Sequence, residues 1–301
     1  MNSGNKPTFL LVFLMLVGPA GVWSASPLQR ETTFYTTRSP RISLTNVAGT
    51  IIIRGWDRPQ VYAVYIMGSP RIEIDTEQVP SQGEADKIQL ATHILDRTLQ
   101  GANAQVNYTL NVPMGASVEI RNPQGIVRID NLSGDAWVQS IGGDIVITGA
   151  TGQVSAHTLG GQIEIDRASG SVEASSVTGN LRFISPSSTQ IRARTTSGQI
   201  YYEGSLLPSA DYTMQTFDGQ INILCPRSSS FELNALCVHC KVYNQLKLSR
   251  WNHRSSDSSY GNSLFGMHNE GRATLEITSF KGAVHISPEP EPPTQSSQPA
   301  Q

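Results

Sequence analysis

The cysteines Cys225, Cys237 and Cys240 are the first residues whose types and spacing could support chemistry. Cys237 and Cys240 form a CxxC motif, which can bind a metal, exchange disulfides or close into a disulfide itself. A covalent haem would require His directly after the second cysteine, where Lys241 stands, and the spacing supplies no full set of zinc ligands although His239 is close. We therefore expect structural cysteines, with a disulfide among the three and one thiol left over.

Acidic side chains that could cleave a glycosidic bond are scattered rather than paired. Glycoside hydrolysis needs one carboxylate on each side of the bond. In the repeat described below, the acids that are expected to point outward do not recur at stacked positions of neighbouring strands. These acids are Asp135, Asp144, Glu164, Asp166 and Glu173. The sequence also lacks the GGxGxDxUx calcium repeat and the GxSxG motif of serine hydrolases, and its six histidines show no metal-ligand spacing. We predict no enzyme, no catalytic residue, no metal and no cofactor.

Aromatic residues are the better candidates for a binding surface. The alternation of side chains places Trp137 and Tyr201 outward, on opposite sheets of the predicted fold. Trp251, Tyr260 and Phe265 form a second group within a polar insert. Exposed rings on a rigid sheet suit glycans or partner proteins. The alternative is that each ring packs beneath a loop or a cap.

A nine-residue repeat organises the segment that carries Trp137 and Tyr201. Glycines stand at positions 125, 134, 143, 152, 161, 170 and 179, and each begins the motif Gly-x-apolar-x-apolar. Such alternation indicates a strand with one buried face. Five residues of strand leave four for a turn, too few for a helix. Nine residues therefore predict one strand plus one corner, and eighteen predict one turn of a flat coil.

The predicted fold is all-β, a parallel two-sheet β-solenoid with irregular β caps at both ends. Copies of the motif with large apolar residues alternate with copies that carry Ala and Val, which lets two close sheets fill the space between them. The residues expected to point inward are Val127, Ile129, Val138, Ile145, Ile147, Val154, Ile163, Ile165, Val172, Leu181, Phe183, Ile191, Ile200, Ile221 and Ile223.

The outward positions are expected to stack from one turn to the next. A ladder of amides and one carboxylate is predicted at Asp144, Gln162, Asn180, Gln199 and Gln220. Glu164 is expected beside Arg182, and Glu173 beside Arg192, so that opposite charges meet.

Caps and tails complete the predicted organisation of the chain. We expect a single domain over 31–287, with an amino-terminal cap at 31–112, regular turns at 113–245, a polar loop insert at 249–271 and closing strands at 272–287. Lys87–Ile94 could be a strand or part of a short helix, and its alternation favours a strand. The Pro-rich tail 288–301 cannot bury a core and is predicted to be disordered.

Composition and the amino terminus indicate where the protein acts. Charged residues are 15% of the chain, against roughly 25% in an average domain, and the net charge of −2 provides no basic face for nucleic acid. Residues 1–24 have the pattern of a signal peptide, with Lys6, the apolar run Phe9–Val17 and then Pro19. That run is shorter than the ~20 residues that span a bilayer. We expect cleavage after Ser24, no stable membrane span and a periplasmic, cell-surface or secreted protein, with an uncleaved anchor as the alternative.

Several motifs together resemble a known family. They are Asn46-x-x-Gly-Thr-Ile-Ile-Ile-Arg-Gly-Trp-Asp57, Leu110-Asn-Val-Pro113, the repeated Gly-x-apolar-x-apolar motif and the ending Gly271–Ile277 with Gly282–Ile286. The combination is similar to the bacterial putative-adhesin family, a β-strand-repeat domain of exported and envelope proteins, over about residues 40–287. Segments 76–104 and 249–271 depart from that pattern. The resemblance implies a cell-envelope role in adhesion or stress sensing and carries over no catalytic residue.

The sequence therefore predicts a non-catalytic, exported binding or scaffold module whose partner is a surface glycan or protein. Two alternatives stay open. One is a polysaccharide-active enzyme on the same coil, and the other is a structural envelope stalk or a stress sensor.

Overall fold

The computed structural model describes residues 28–249 and 260–290, and these residues form an all-β structure with one 3₁₀ helix, Gly101–Ala104. The predicted signal peptide, Trp251 and tail residues 291–301 lie outside the described residues. The all-β class is confirmed. No helix within the described part of the chain is long and apolar enough to cross a bilayer.

The strands fall into three groups along the chain. The first group is β1 (Leu28–Thr45), β2 (Ile51–Trp56), β3 (Gln60–Met67), β4 (Ile72–Val79), β5 (Ala85–Ile94) and β6 (Val106–Pro113). The middle group is β7 (Ser117–Asn122), β8 (Val127–Asp130), β9 (Ala136–Ser140), β10 (Ile145–Thr148), β11 (Val154–Thr158), β12 (Ile163–Asp166), β13 (Ser169–Ser176), β14 (Leu181–Ile184), β15 (Ser187–Ser197), β16 (Ile200–Glu203), β17 (Asp211–Asp218) and β18 (Ile221–Cys225). The last group is β19 (Phe231–Cys237), β20 (Val242–Asn244), β21 (Tyr260–Gly261), β22 (Ser263–His268), β23 (Ala273–Lys281) and β24 (Val284–Pro288).

The middle strands build two parallel ladders. In ladder A, β8, β10, β12, β14, β16, β18 and β24 pair in that order, and Ile145 lies opposite Ile163, eighteen residues further on. In ladder B, β7, β9, β11, β13, β15, β17 and β23 pair in the same way. Strand β1 joins the two ladders. Its first part pairs antiparallel with β3, which is connected to β8 of ladder A through β6 and β2. Its second part pairs in parallel with β5 and with β7 of ladder B.

The core lies where the inward side chains of the two ladders meet. Every residue predicted to point inward is at most 1% exposed, so that prediction is confirmed. Burial of apolar surface on this scale is the main stabilising contribution. The smaller residues of ladder B, such as Ala156 and Ala174, are fully buried, as are the large Phe183 and Tyr202 of ladder A. Each ladder strand thus contributes its alternating inward positions to one continuous core.

Close packing between successive corners explains why the repeat requires glycine. A Cβ atom on Gly143 would overlap the carbonyl oxygen of Gly125, eighteen residues earlier in the chain. By contrast, a Cβ atom on the neighbouring Gly142 would meet no atom within 4 Å. The nine-residue glycine period therefore marks positions where one backbone lies directly on another.

The structure differs from the sequence expectations at both ends. Strand β2 is not part of an irregular cap, because Ile51 pairs in parallel with Val127 and so begins ladder A's regular register. Segment 263–268 is not a loop but strand β22, which pairs antiparallel with β19 and buries Leu264. Lys87–Ile94 lies within strand β5, as its alternation favoured.

Candidate functional site

The outer face of ladder A presents a column of polar and aromatic side chains along the stack. Register places Arg182 opposite Tyr201, Tyr201 opposite Asn222, Asn222 opposite His285, and His285 opposite Tyr243. We call these five residues the outer track. Neighbouring strands are about 4.8 Å apart, so the outer track offers one side chain at each such interval. A repeating polymer could contact several of them at once.

Tyr201 is fixed in the outer track by contacts on both sides. The guanidinium of Arg182 lies 5.2 Å from the centre of the Tyr201 ring, a cation–π contact. The Tyr201 hydroxyl donates a hydrogen bond of 2.7 Å to the Glu203 carboxylate. That hydrogen bond, more than burial, raises the pKa of Tyr201 above its ordinary value. The ring is therefore held in place while remaining partly open to solvent.

A shallow groove of about 370 Å³ lies beside this ring, and we call it the Tyr201 groove. Its lining is formed by Gln162, Asn180, Leu181, Arg182, Gln199 and Tyr201. The Asn180 side-chain oxygen accepts a hydrogen bond of 2.9 Å from the backbone N–H of Gln199. The carboxamides of Gln162 and Gln199 have no hydrogen-bond partner within residues 28–249 and 260–290 and are exposed. They are free to donate to and accept from a ligand.

The predicted polar ladder is bonded from side chain to backbone. Asp144 uses a carboxylate oxygen to accept from the backbone N–H of Gln162 at 2.8 Å, in the same way that Asn180 contacts Gln199. These contacts run from side chain to backbone, so they hold successive turns in register and leave the terminal amides available.

The two predicted charge pairs are adjacent in register, but neither forms an ion pair within the described residues. Register does place Glu164 opposite Arg182 and Glu173 opposite Arg192. The ion pair of Glu173 is nevertheless with Arg194, at 3.8 Å, two residues further along the strand on the same face. Arg182 contacts the Tyr201 ring instead of forming the expected ion pair with Glu164. The arginine that was expected to hold the register thus belongs to the candidate site.

Acidic side chains also gather next to Tyr201, a grouping that the sequence did not reveal. Glu289 follows strand β24, and its backbone N–H donates to the Cys225 carbonyl at 3.0 Å. Loss of solvation raises the pKa of Glu289, and the negative charge of Glu203 raises it further. The two glutamates are 86 positions apart in the sequence, so no local pattern could have paired them.

Trp137 lies on the opposite ladder, and the two predicted aromatic residues therefore do not share a site. The Arg121 guanidinium is 5.0 Å from the Trp137 ring centre, and Glu119 forms an ion pair of 2.7 Å with Arg121. The partly buried ring of Trp137 is thus covered on one side by a cation.

A hydrogen-bonded Ser–His–Ser chain lies next to Trp137. His157 contacts Ser155 at 2.8 Å through Nε2 and Ser175 at 2.6 Å through Nδ1. A serine nucleophile also needs N–H donors aimed at a developing oxyanion. Strand β11 lies between β9 and β13, so its backbone groups are engaged in the ladder. This chain of side chains is suited to hydrogen bonding rather than to acyl transfer.

The remaining predicted residues are divided between described and undescribed parts of the chain. Phe265 is partly buried in β22, where it lies opposite Asn234. Tyr260 belongs to the short strand β21, and Trp251 lies outside the described residues. Cys237 and Cys240 are joined as a disulfide with Cα atoms 5.2 Å apart, and Cys225 is a buried free thiol. No group of three or more metal-ligating side chains occurs among the residues that the structure describes.

Comparisons with known proteins show what the fold is similar to. No family model matches the sequence, and no curated protein matches it. A crystal structure described as a putative adhesin from Parabacteroides distasonis shares 10% identity at a TM-score of 0.50, covering 87% of this chain and 97% of that chain. A putative adhesin from Bacteroides fragilis shares 12% identity at a TM-score of 0.47, covering 87% of this chain and 98% of that chain. The structure from Parabacteroides distasonis confirms that the fold is similar to that of a putative adhesin.

Proposed function

We propose that this chain is an exported, non-catalytic binding module of the bacterial cell envelope. In this proposal a parallel two-sheet β-solenoid presents the Tyr201 groove to an extended surface glycan. The coil is supported by the eighteen-residue register of both ladders. Export is supported by the signal-peptide pattern of residues 1–24, and a single domain over 31–287 is supported by the continuous core.

The observation that carries the proposal is the pairing of a fixed aromatic ring with free amides in one groove. Tyr201 offers a flat apolar face, while Gln162 and Gln199 offer donors and acceptors beside it. Sugars present apolar C–H faces and hydroxyl edges together, so a ring flanked by amides matches both. The volume of about 370 Å³ lies at the small end of ligand sites. A few sugar residues of a longer chain fit that size.

The outer track extends the groove in the direction of a polymer. Beyond Tyr201 the same column continues with Asn222 and then with the stacked rings of His285 and Tyr243, whose centroids are 5.0 Å apart. A linear glycan that follows the stack could place successive sugars against successive side chains. Several weak contacts would then combine into useful affinity.

Binding of the purified exported protein to a panel of glycans, peptidoglycan and envelope lipids tests the proposal. Calorimetry should show saturable glycan binding that Tyr201→Ala weakens about tenfold, equivalent to ~1.4 kcal/mol. Trp137→Ala is the matched control, because it removes a ring that also carries an arginine but lies on the opposite ladder. Equal losses in both variants, or binding only to a protein partner, would contradict a glycan site at Tyr201. Absence of all binding would favour a structural stalk.

The acidic pair beside Tyr201 favours one second candidate, cleavage of a polysaccharide. A glutamate with a raised pKa next to a second carboxylate is the arrangement that general-acid catalysis uses, and Glu289 and Glu203 have that relationship. Each binding sample should therefore also be assayed for new reducing ends. Release of product that is lost in Glu289→Gln would assign an enzyme and overturn the non-catalytic proposal.

A further inference from the structure

An exposed apolar ridge runs along the corner that follows the strands of ladder B. Where each strand ends, a buried polar side chain or Cys237 is followed directly by one outward residue. In stacking order, these outward residues are Val47, Pro123, Ile141, Leu159, Val177, Thr196, Phe217, Phe280 and Val238. We call these nine residues the corner ridge.

The backbone dictates that these positions face outward, and the sequence nevertheless makes eight of the nine apolar, with Thr196 as the exception. The buried Ser176 hydroxyl accepts a hydrogen bond of 2.8 Å from the Gly179 N–H, so the intervening Val177 must point away from the core. Ile141 and Leu159 are each 54% exposed, and Phe217 is 52% exposed. A corner that met only water would have no need for apolar side chains at successive turns.

The ridge is continuous because each corner is bonded to the next. The Leu159 backbone N–H donates to the Ile141 carbonyl at 3.2 Å, and the Ser197 N–H donates to the Val177 carbonyl at 2.7 Å. Towards the other end, the rings of Phe217 and Phe280 stack with centroids 4.6 Å apart. Phe217 is half exposed despite the stacking, whereas Phe280 also contacts the His239 ring and is only partly exposed. The exposed apolar area is on the order of 500 Å², comparable with the largest patch on a typical monomer.

We propose that the corner ridge is the interface of a homodimer, in which two copies lie side by side in antiparallel orientation. Two ridges of this size would bury on the order of 1,000 Å² in total, the lower limit for a specific interface. Both copies have the same spacing between turns, so their side chains stay in register along the whole ridge. A partner with a different spacing would match only over a short stretch.

The charge beside the ridge favours a second copy over a lipid surface. The residues next to the central positions are Gln139, His157 and Ser175 on one side and Gly142, Gly160 and Thr178 on the other. These central flanks carry no lysine or arginine. Beside the outer positions, Arg121 and Arg194 form ion pairs with Glu119 and Glu173, and Lys281 lies opposite Asp218. The flanks therefore have no excess of positive charge, which a ridge that binds anionic lipid would be expected to have. The flanks of the central positions also carry no carboxylate, so two copies can approach there without repulsion between like charges.

The shape of the ridge favours the antiparallel orientation. Val177 is the fifth of the nine positions, so a two-fold axis there places Val177 against its own copy. Ile141 then lies opposite Phe217, and the slim Pro123 lies opposite Phe280. A parallel pair would instead place the phenylalanines against each other at one end and force the two ridges apart.

Sedimentation of the purified exported protein over a range of concentrations tests this inference. We expect a concentration-dependent dimer, and we expect Val177→Lys to weaken dimerisation at least tenfold because it places two like charges at the axis. Thr151→Lys is the matched control, since Thr151 is exposed at the opposite corner. Circular dichroism and a thermal melt verify that both variants remain folded. A wild-type monomer at all concentrations, or a dimer unaffected by Val177→Lys, would overturn the interface.

Cysteine cross-linking tests the orientation. A mixture of Ile141→Cys and Phe217→Cys proteins should form disulfide-linked heterodimers faster than either variant forms homodimers. Preferred homodimers would overturn the antiparallel arrangement. Binding of monomeric protein to neutral phosphatidylcholine vesicles that Val177→Lys abolishes would assign the ridge to lipid and overturn the dimer.

Discussion

Arg182 and Tyr201 occupy paired positions on β14 and β16, and the guanidinium lies 5.2 Å from the ring centre. The contact fixes a ring in the outer track and places a cation within the Tyr201 groove. Arg182 is therefore part of the candidate binding site. The ring has a further contact through its hydroxyl, which donates a hydrogen bond to the Glu203 carboxylate. The two contacts can be separated by mutation.

Tyr201→Phe should preserve glycan binding to within about twofold, because it keeps the ring and removes only the hydrogen bond to Glu203. Tyr201→Ala removes the ring and should weaken binding about tenfold. Titration calorimetry of both variants against the same glycan measures the difference. An equal loss in both variants would assign recognition to the hydroxyl and its carboxylate partner instead of the ring face.

Gly143→Ala should destabilise the fold by about 3 kcal/mol or more, since the new Cβ would overlap the Gly125 backbone and force two turns apart. Gly142→Ala is the matched control at the neighbouring position, where open space surrounds the new methyl group. It should change the free energy of unfolding by less than about 0.5 kcal/mol. Urea denaturation measures both values. Similar values for the two variants would show that turn spacing does not limit stability.

The same glycine period explains how much of the fold the sequence predicts. An interval of nine residues sets the strand length, and the alternation of apolar and polar residues within each motif sets the buried face. The inward positions from Val127 to Ile223 were therefore predictable. The site was predictable at Tyr201, since alternation alone places that ring outward. Its neighbours Gln162, Asn180 and Gln199 belong to the predicted ladder, although only the structure shows that they share a groove.

Other features could not be predicted because they depend on contacts between distant parts of the chain. The segment Gly49–Ile53 has the pattern of the repeat, but 76 positions separate Ile51 from its partner Val127. The insertion between them hides the periodicity. Glu289 approaches Glu203 only after β24 has paired with β18. The corner ridge had a detectable signal in the sequence. An apolar residue stands two positions before most of the glycines that precede a ladder A strand, as Ile141 does before Gly143. A search for inward residues passes over these positions.

Ser176→Ala should lower the free energy of unfolding by about 1–3 kcal/mol, because it leaves the buried Gly179 N–H without its acceptor. Ser133→Ala provides the control at an exposed serine, and it should have little effect. Thermal unfolding measures the stability of each variant. Amide exchange adds a local test, since Gly179 should exchange faster in Ser176→Ala. Unchanged exchange would show that another acceptor replaces the hydroxyl.

Alkaline pH should unfold the protein through its buried tyrosines. Burial raises the pKa of Tyr108 to about 12, and it also raises the pKa values of Tyr202 and Tyr212. An unfolded tyrosine ionises near pH 10. The stability from keeping these phenols neutral is therefore complete below about pH 10 and is lost as pH rises towards the folded pKa, at ~1.4 kcal/mol per pH unit for each group.

Phenolate absorbance and circular dichroism, followed together from neutral to strongly alkaline pH, measure this effect. Exposed tyrosines should ionise first while the strand signal stays constant, and the buried group should ionise only as that signal is lost. Tyr108→Phe should remove one late-ionising group, although it also removes the 2.7 Å contact with Thr92. Thr92→Val removes the same contact and keeps the phenol, so it separates the two effects. If every tyrosine ionised near pH 10 while the strand signal stayed native, Tyr108 would have to be accessible to water, and the continuous core between the ladders could not be closed at that position.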